Sequence, residues 1–287
     1  MTTLHAVIHA GAAGFLAEVR EPLERDEAAN SLLLGVCQRM ALHPERVSAP
    51  PFLAAVSDQA GLALAAMMTP PHKLVLAAAR ADFEQAVMPL VDALRAGGWS
   101  VPGVHARSAV AAVFAEAWVR ATNHNYSLER RERVYLLRQV NAGPPVAGRL
   151  RLAEPGDAPL LASWAEAFQA EALPGDPPQD FRAIIDQRIA DGALYVWEDG
   201  APASMAAVTR ATAHGATVSL VYTPAHRRRR GYAGACVAGL SQRLLDAGWE
   251  FCTLYTDLSN PTSNHIYQAI GYQPVCDIDE YLFIPTA

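Results

Sequence analysis

The sequence predicts an α/β fold built on a mixed sheet and repeated in two consecutive domains, and three observations carry that prediction. Short apolar or alternating runs suited to strands are interleaved with amphipathic helical runs along the chain. Its 287 residues exceed a typical single domain, and a hydrophobic content of 51% can bury a sizeable core. Finally, Asn141-Ala142-Gly143-Pro144-Pro145-Val146-Ala147-Gly148 interrupts two regular segments with paired prolines and flanking glycines. The expected domains are residues 1–146 and 147–287.

In the first half, Glu24 to Met40 has the spacing of a helix. Phe52 to Ser57 and Leu62 to Met68 read as a hairpin around Gly61, and Lys73 to Ala78 as another strand. Asp82 stands where it can cap a helix running through Arg95, which Gly97-Gly98 stops. Ser108 begins a further helix before a strand from Arg133 to Gln139. The second half opens with a strand from Arg149 to Ala153, followed by a helix capped by Asp157 that runs through Trp164 and Phe168. Phe181 to Ile189 is a second amphipathic helix. Leu194 to Trp197 and Ala203 to Thr209 then form strands about the Glu198-Asp199-Gly200 turn.

The most informative run follows. Val218, Leu220 and Tyr222 alternate as a strand that Pro224 ends by withholding a backbone donor. Thr223-Pro224-Ala225-His226-Arg227-Arg228-Arg229-Arg230-Gly231 is then a basic turn. It opens a helix marked by Ala233, Val237, Leu240 and Leu244 and stopped by Gly248. The first N–H groups of a helix have no partner within it, and the aligned peptide dipoles make that end positive, so an anion is accommodated there. Gly231 lets the main chain come close, and the small residues Ala233 and Gly234 keep the approach open. A solvated arginine run on an ordinary connection is the plain alternative.

A second block, Phe251 to Thr256, alternates as a strand and leads into Asn260-Pro261-Thr262-Ser263-Asn264-His265-Ile266-Tyr267-Gln268-Ala269-Ile270-Gly271-Tyr272. Asn260 suits the N-cap, Pro261 the first helical position, and Gly271 the left-handed position past the end. Ile266 and Ile270 face the core as an i,i+4 pair, which turns Tyr267 toward another edge of the helix.

The spacing Arg228-x-x-Gly231-x-Ala233 resembles the acyl-CoA pyrophosphate loop of the GNAT superfamily of N-acyltransferases, and the second block resembles the next conserved block of that fold. The resemblance implies a GNAT domain in the C-terminal half that uses acetyl-CoA as cosubstrate. It places pyrophosphate on the backbone of Arg229, Arg230, Gly231, Tyr232, Ala233 and Gly234, and the pantetheine amides along the main chain of Val221, Tyr222 and Thr223. Arg228 and its neighbours would meet the 3′-phosphate. Asn260 would contact the cofactor, and Tyr267 would lie near the thioester sulfur as the acid that protonates the departing thiolate. The first half follows a similar element order, as a degenerate copy. Where the second half has its arginine–glycine turn, the first has Ala77-Ala78-Ala79-Arg80-Ala81-Asp82-Phe83, with no glycine and with a carboxylate at the helix start that repels phosphate.

This reading expects transfer of an acetyl group to the amine of a small molecule or peptide. Many family members draw on a carboxylate of the central strand as base. Thr217-Val218-Ser219-Leu220-Val221 has none, so Glu166, Glu171 and Asp257 remain alternatives without an assignment. For that reason a noncatalytic acyl-CoA-binding regulator stands as the second reading. The net charge of -6 and pI near 5.8 argue against nucleic acid or an acidic membrane surface as partner. Cys37, Cys236, Cys252 and Cys276 form no Cys-x-x-Cys pair, and the nine histidines are dispersed, so neither a disulfide framework nor a metal site is expected. No apolar run reaches membrane-spanning length without a charge or proline, and a cytoplasmic setting follows.

Overall fold

The computed structural model describes residues 3–47, 49–177 and 179–286. Ten elements run β1 (His5–Ile8), α1 (Ala12–Glu24), α2 (Ser31–Leu42), β2 (Phe52–Asp58), β3 (Gly61–Met68), β4 (Leu74–Ala78), α3 (Glu84–Ala96), β5 (Gly103–Arg107), α4 (Ser108–Ala121) and β6 (His124–Leu137). The next ten repeat that order: β7 (Arg149–Leu152), α5 (Ala158–Ala172), α6 (Phe181–Ala190), β8 (Leu194–Asp199), β9 (Ala201–Ala211), β10 (Gly215–Tyr222), α7 (Tyr232–Asp246), β11 (Phe251–Asp257), α8 (Pro261–Ile270) and β12 (Gln273–Pro285). The chain divides into two compact units. Unit 1 comprises 1–134, 256–259 and 275–287; unit 2 comprises 135–255 and 260–274. A single cut at 146/147 does not describe this division, because most of β12 belongs to unit 1, where it pairs with β5 antiparallel from Ile278↔Arg107 to Leu282↔Gly103.

In unit 1 the period-2 alternation of the strands separates two apolar layers. Phe52, Ala54 and Val56 face α3 and α4, where they meet Leu90, Leu94, Phe114 and Trp118. Leu53 and Ala55 point the other way onto Phe15, Leu16 and Val19 of α1 and Leu33 and Leu34 of α2. Of the expected helix at 24–40 only the part from Ser31 is helical; Glu24 is the last residue of α1, and residues 25–30 form a turn between α1 and α2. Asn30 closes the turn between them by donating from Nδ2 to the Leu23 carbonyl at 2.9 Å, so the buried turn mimics helical continuity in the sequence.

Asp82 also differs from expectation. It caps no backbone N–H; it grips Arg80 instead, with Arg80 Nε 2.9 Å from Asp82 Oδ1. The first and last strands and β5 carry weak strand signals. β12 is crossed by Asp277, which pairs with Arg133, by Asp279, which accepts from the Ser108 hydroxyl and faces Arg131 at 3.8 Å, and by Glu280, which bonds His105.

Unit 2 is layered in the same way. Leu194 and Val196 of β8 and Met205 and Ala207 of β9 pack on Leu161, Trp164 and Ala165 of α5 and Ile185 of α6. Ala206, Ala216 and Val218 face Val237, Leu240 and Leu244 of α7 and Ile270 of α8. Completely burying a leucine such as Leu240 contributes roughly 1.5–3 kcal/mol. All four cysteines are free thiols. Among the described residues no helix is long and apolar enough to cross a membrane.

Candidate active site

Within unit 2, β10 pairs with β11 in parallel only at Gly215↔Phe251, Ala216↔Cys252 and Thr217↔Thr253. The Thr217 and Thr253 hydroxyls, 2.9 Å apart, close the last rung. Past it the strands diverge. On its other side β10 breaks register with β9 between Ser219 and Tyr222, and Leu220 takes a left-handed φ of 52° in that bulge. The main chain around Leu220 and Val221 thus borders a gap between two parallel strands, where an extended ligand with amides can add like a strand. Tyr222 and Thr223, which the sequence groups with Val221, have carbonyls already in use: Ser204 Oγ donates to the Tyr222 carbonyl at 3.0 Å, and Arg228 Nε to the Thr223 carbonyl at 2.8 Å.

The turn after β10 is shaped for an anion. Arg229 and Gly231 are left-handed, at φ 61° and 80°, and the six consecutive N–H groups from Arg229 to Gly234 have no acceptor among the described residues. The first turn of α7 carries no acidic side chain, so the positive end of its dipole is uncompensated. A side chain at Gly231 would be strained by the backbone and would begin 3.0 Å from Val146 Cγ2.

Among the arginines the roles separate. Arg229 and Arg230 are exposed and make no ion pair among the described residues, whereas Arg228, exposed as well, is held by neighbouring groups. Its Nη2 lies 2.7 Å from Glu171 Oε2, and its guanidinium stacks over the Tyr222 ring at 5.5 Å. Tyr232 is buried, with its hydroxyl on Asp199, so it offers an incoming ligand its backbone only.

Helix α8 stands beside this turn: a Cβ on Gly234 would lie 3.5 Å from Ile266 Cγ2. Asn260 is its N-cap, with Oδ1 accepting from the Ser263 N–H at 3.0 Å, which leaves the Asn260 amide NH2 available as a donor. Gly271 ends the helix left-handed at φ 115°.

Tyr267 packs at the edge of the same apolar cluster as Ile266 and Ile270, rather than on a separate face, and meets Tyr272 edge-on at 6.1 Å between ring centroids. Burial pushes its phenol up to about 12. Its hydroxyl has no hydrogen-bond partner among the described residues. Tyr135, which the sequence does not single out, sets the orientation of this helix: its hydroxyl donates to Asn264 Oδ1 at 3.0 Å and accepts from Gln268 Nε2 at 2.9 Å.

Of the three candidate bases, Glu171 is engaged by Arg228 and by the Tyr222 hydroxyl at 3.1 Å, Glu166 is exposed, and Asp257 accepts from the nearby Ser259 N–H at 2.7 Å.

Unit 1 has the same parallel pair, β4 and β5, joined only at Leu74↔Val104 and Val75↔His105. Where they part lies a cavity of about 400 Å³ lined in part by Arg25, Asp26, Arg80, Phe83 and Arg107. Each cation there already has an anion. Arg80 is held by Asp58 at 2.6 Å and by Asp82, Arg107 by Asp26, and Arg25 by Glu21 at 2.7 Å. The side-chain hydrogen bond from Arg80 holds both Asp58 and Asp82 below the usual carboxylate range.

Residues 198–283 match the model of the FR47-like protein family, a GNAT-related group. The fold extends the likeness over the whole chain. A GCN5-related N-acetyltransferase from Sphaerobacter thermophilus superposes with a TM-score of 0.61 at 16% identity, covering 99% of this chain and 97% of that one. A GNAT-family acetyltransferase from Colwellia psychrerythraea gives 0.58 at 12%, covering 97% and 99%. A tandem GNAT protein from the clavulanic acid biosynthesis pathway gives 0.53 at 14%, covering 98% and 97%. This chain is a tandem GNAT-fold protein. The curated proteins include no sequence match to it. The family match covers all of the turn at 228–234 and of α8.

Proposed function

We propose that unit 2 is an acetyl-CoA-dependent N-acetyltransferase that passes an acetyl group to the amine of a small molecule or peptide in the cytoplasm. The observation that carries this reading is the run of six N–H groups from Arg229 to Gly234 that find no acceptor among the described residues, set between the diverging strands and α8. Pyrophosphate sits on that run, with Arg229 and Arg230 adding charge. Pantetheine extends along β10 toward Val221, and the Asn260 amide donates to the cofactor. The amine nitrogen attacks the thioester carbonyl, the carbon–sulfur bond breaks, and Tyr267 gives its proton to the leaving thiolate; the amine's own proton passes to water. A phenol held up at about 12 is fully protonated at neutral pH, as this role requires.

Absence of a carboxylate on β10 keeps a noncatalytic acyl-CoA-binding role as the second reading. A screen of acetyl-CoA against a broad panel of amines, read by release of free thiol, separates the two. Turnover on any amine supports the enzyme; tight CoA binding with no thiol release across the panel supports the regulator.

A further inference from the structure

Glu171, next to the end of α5, lies 57 residues before Arg228 in the chain, yet it takes that arginine and the Tyr222 hydroxyl on its two oxygens, at 2.7 and 3.1 Å. Arg228 in turn bonds the Thr223 carbonyl and stacks on Tyr222. The start of the same turn is fixed from β9, where buried Ser204 bonds the Tyr222 carbonyl and accepts from the Thr223 hydroxyl at 2.9 Å. Both ends of the segment 222–228 are therefore tied from behind. Immediately past the second tie comes Arg229 in a left-handed conformation, which is strained for a non-glycine residue and persists only where its surroundings impose it.

We propose that Glu171 is a positioning residue for the phosphate turn: by holding Arg228 it keeps Arg229 left-handed and the N–H groups of 229–234 preformed for the CoA pyrophosphate. The proposal rests on the reading of unit 2 as an acyl-CoA site. It assigns Arg228 to shaping the turn and leaves phosphate contact to Arg229, Arg230 and the main chain. Preformed donors bind an anion without first ordering a loop, so losing the tie weakens affinity while the fold is retained.

The test is calorimetric titration of CoA into the full chain carrying Glu171→Gln, Arg228→Gln and both together, with melting temperature measured in the absence of ligand. Glu171 is half exposed, and Glu171→Gln keeps its size, so the variants fold. Each single change is expected to raise the CoA Kd about tenfold, the scale of one charge-assisted contact. The double variant is expected to bind no more weakly than the weaker single one, since both act through one tie. Wild-type affinity in Glu171→Gln, or losses that multiply in the double variant, overturns the proposal; the latter means that Arg228 meets the phosphate independently. Failure of the wild-type chain to bind CoA overturns the reading of the site itself, and the positioning role with it.

Discussion

Tyr267 joins a ring in the apolar cluster with a hydroxyl that has no hydrogen-bond partner among the described residues. If the hydroxyl protonates the thiolate, Tyr267→Phe keeps the packing and removes the proton. Turnover should fall roughly ten- to a thousandfold while CoA affinity stays at the wild-type value, because the lost interaction belongs to the transition state. Steady-state rates on an identified acceptor, paired with CoA titration, check this, and full turnover with chemistry rate-limiting would reduce Tyr267 to packing. Residues with a local conformational demand were legible in the sequence. Asn260 caps and Gly271 turns left-handed after the helix, because each requirement is set by its immediate neighbours; Gly231 was read only as a close approach of the main chain, and its left-handed φ before α7 was not. The role of Arg228 was not legible, since its partner Glu171 is distant in sequence and half-exposed carboxylates carry no pattern.

At the scale of elements, α8 rests on its cap and on Tyr135. Asn260→Ala removes the Oδ1 acceptor of the Ser263 N–H, which costs about 1 kcal/mol of stability, and removes the amide assigned to the cofactor. The expected result is a modest fall in melting temperature together with a several-fold rise in CoA Kd. A fall in melting temperature with unchanged Kd would leave Asn260 as a cap alone. Most helices and inner strands followed from periodicity, because their apolar faces are one-sided or buried on both sides. β1 is four residues long, β5 reads Gly-Val-His-Ala-Arg, and β12 carries three acids in thirteen residues, so none presents an alternating apolar pattern. The acids of β12 are tolerated because partners from elsewhere in unit 1 neutralise them, a condition of tertiary structure that periodicity does not encode.

In the whole molecule, the ten-element repeat was visible in outline, but the placement of β12 in unit 1 was not. Its anchor is Glu280, bonded to His105 at 2.8 Å and to Lys73, the only lysine, at 3.0 Å, with Arg130 at 3.4 Å. Burial alone would raise this carboxyl; the His105 hydrogen bond and the charges of His105, Lys73 and Arg130 outweigh it and draw it down from 4.5 to about 2. A depressed carboxyl stabilises the fold fully above its unfolded value and loses that contribution as pH falls from about 4.5 toward about 2. Melting temperature should therefore decline through that window, and Glu280→Gln should flatten this part of the decline; equal slopes would contradict the assignment. The two units also differ at corresponding turns, where unit 2 presents N–H groups without an acceptor among the described residues and unit 1 presents Arg80 already held by Asp58 and Asp82. The most direct test of one working cofactor site is calorimetric titration of CoA into the wild-type chain, Gly231→Glu and Asp82→Asn. The account predicts one CoA per chain, no binding in folded Gly231→Glu and nearly unchanged affinity in Asp82→Asn; two equivalent sites, or undiminished binding in folded Gly231→Glu, would contradict it.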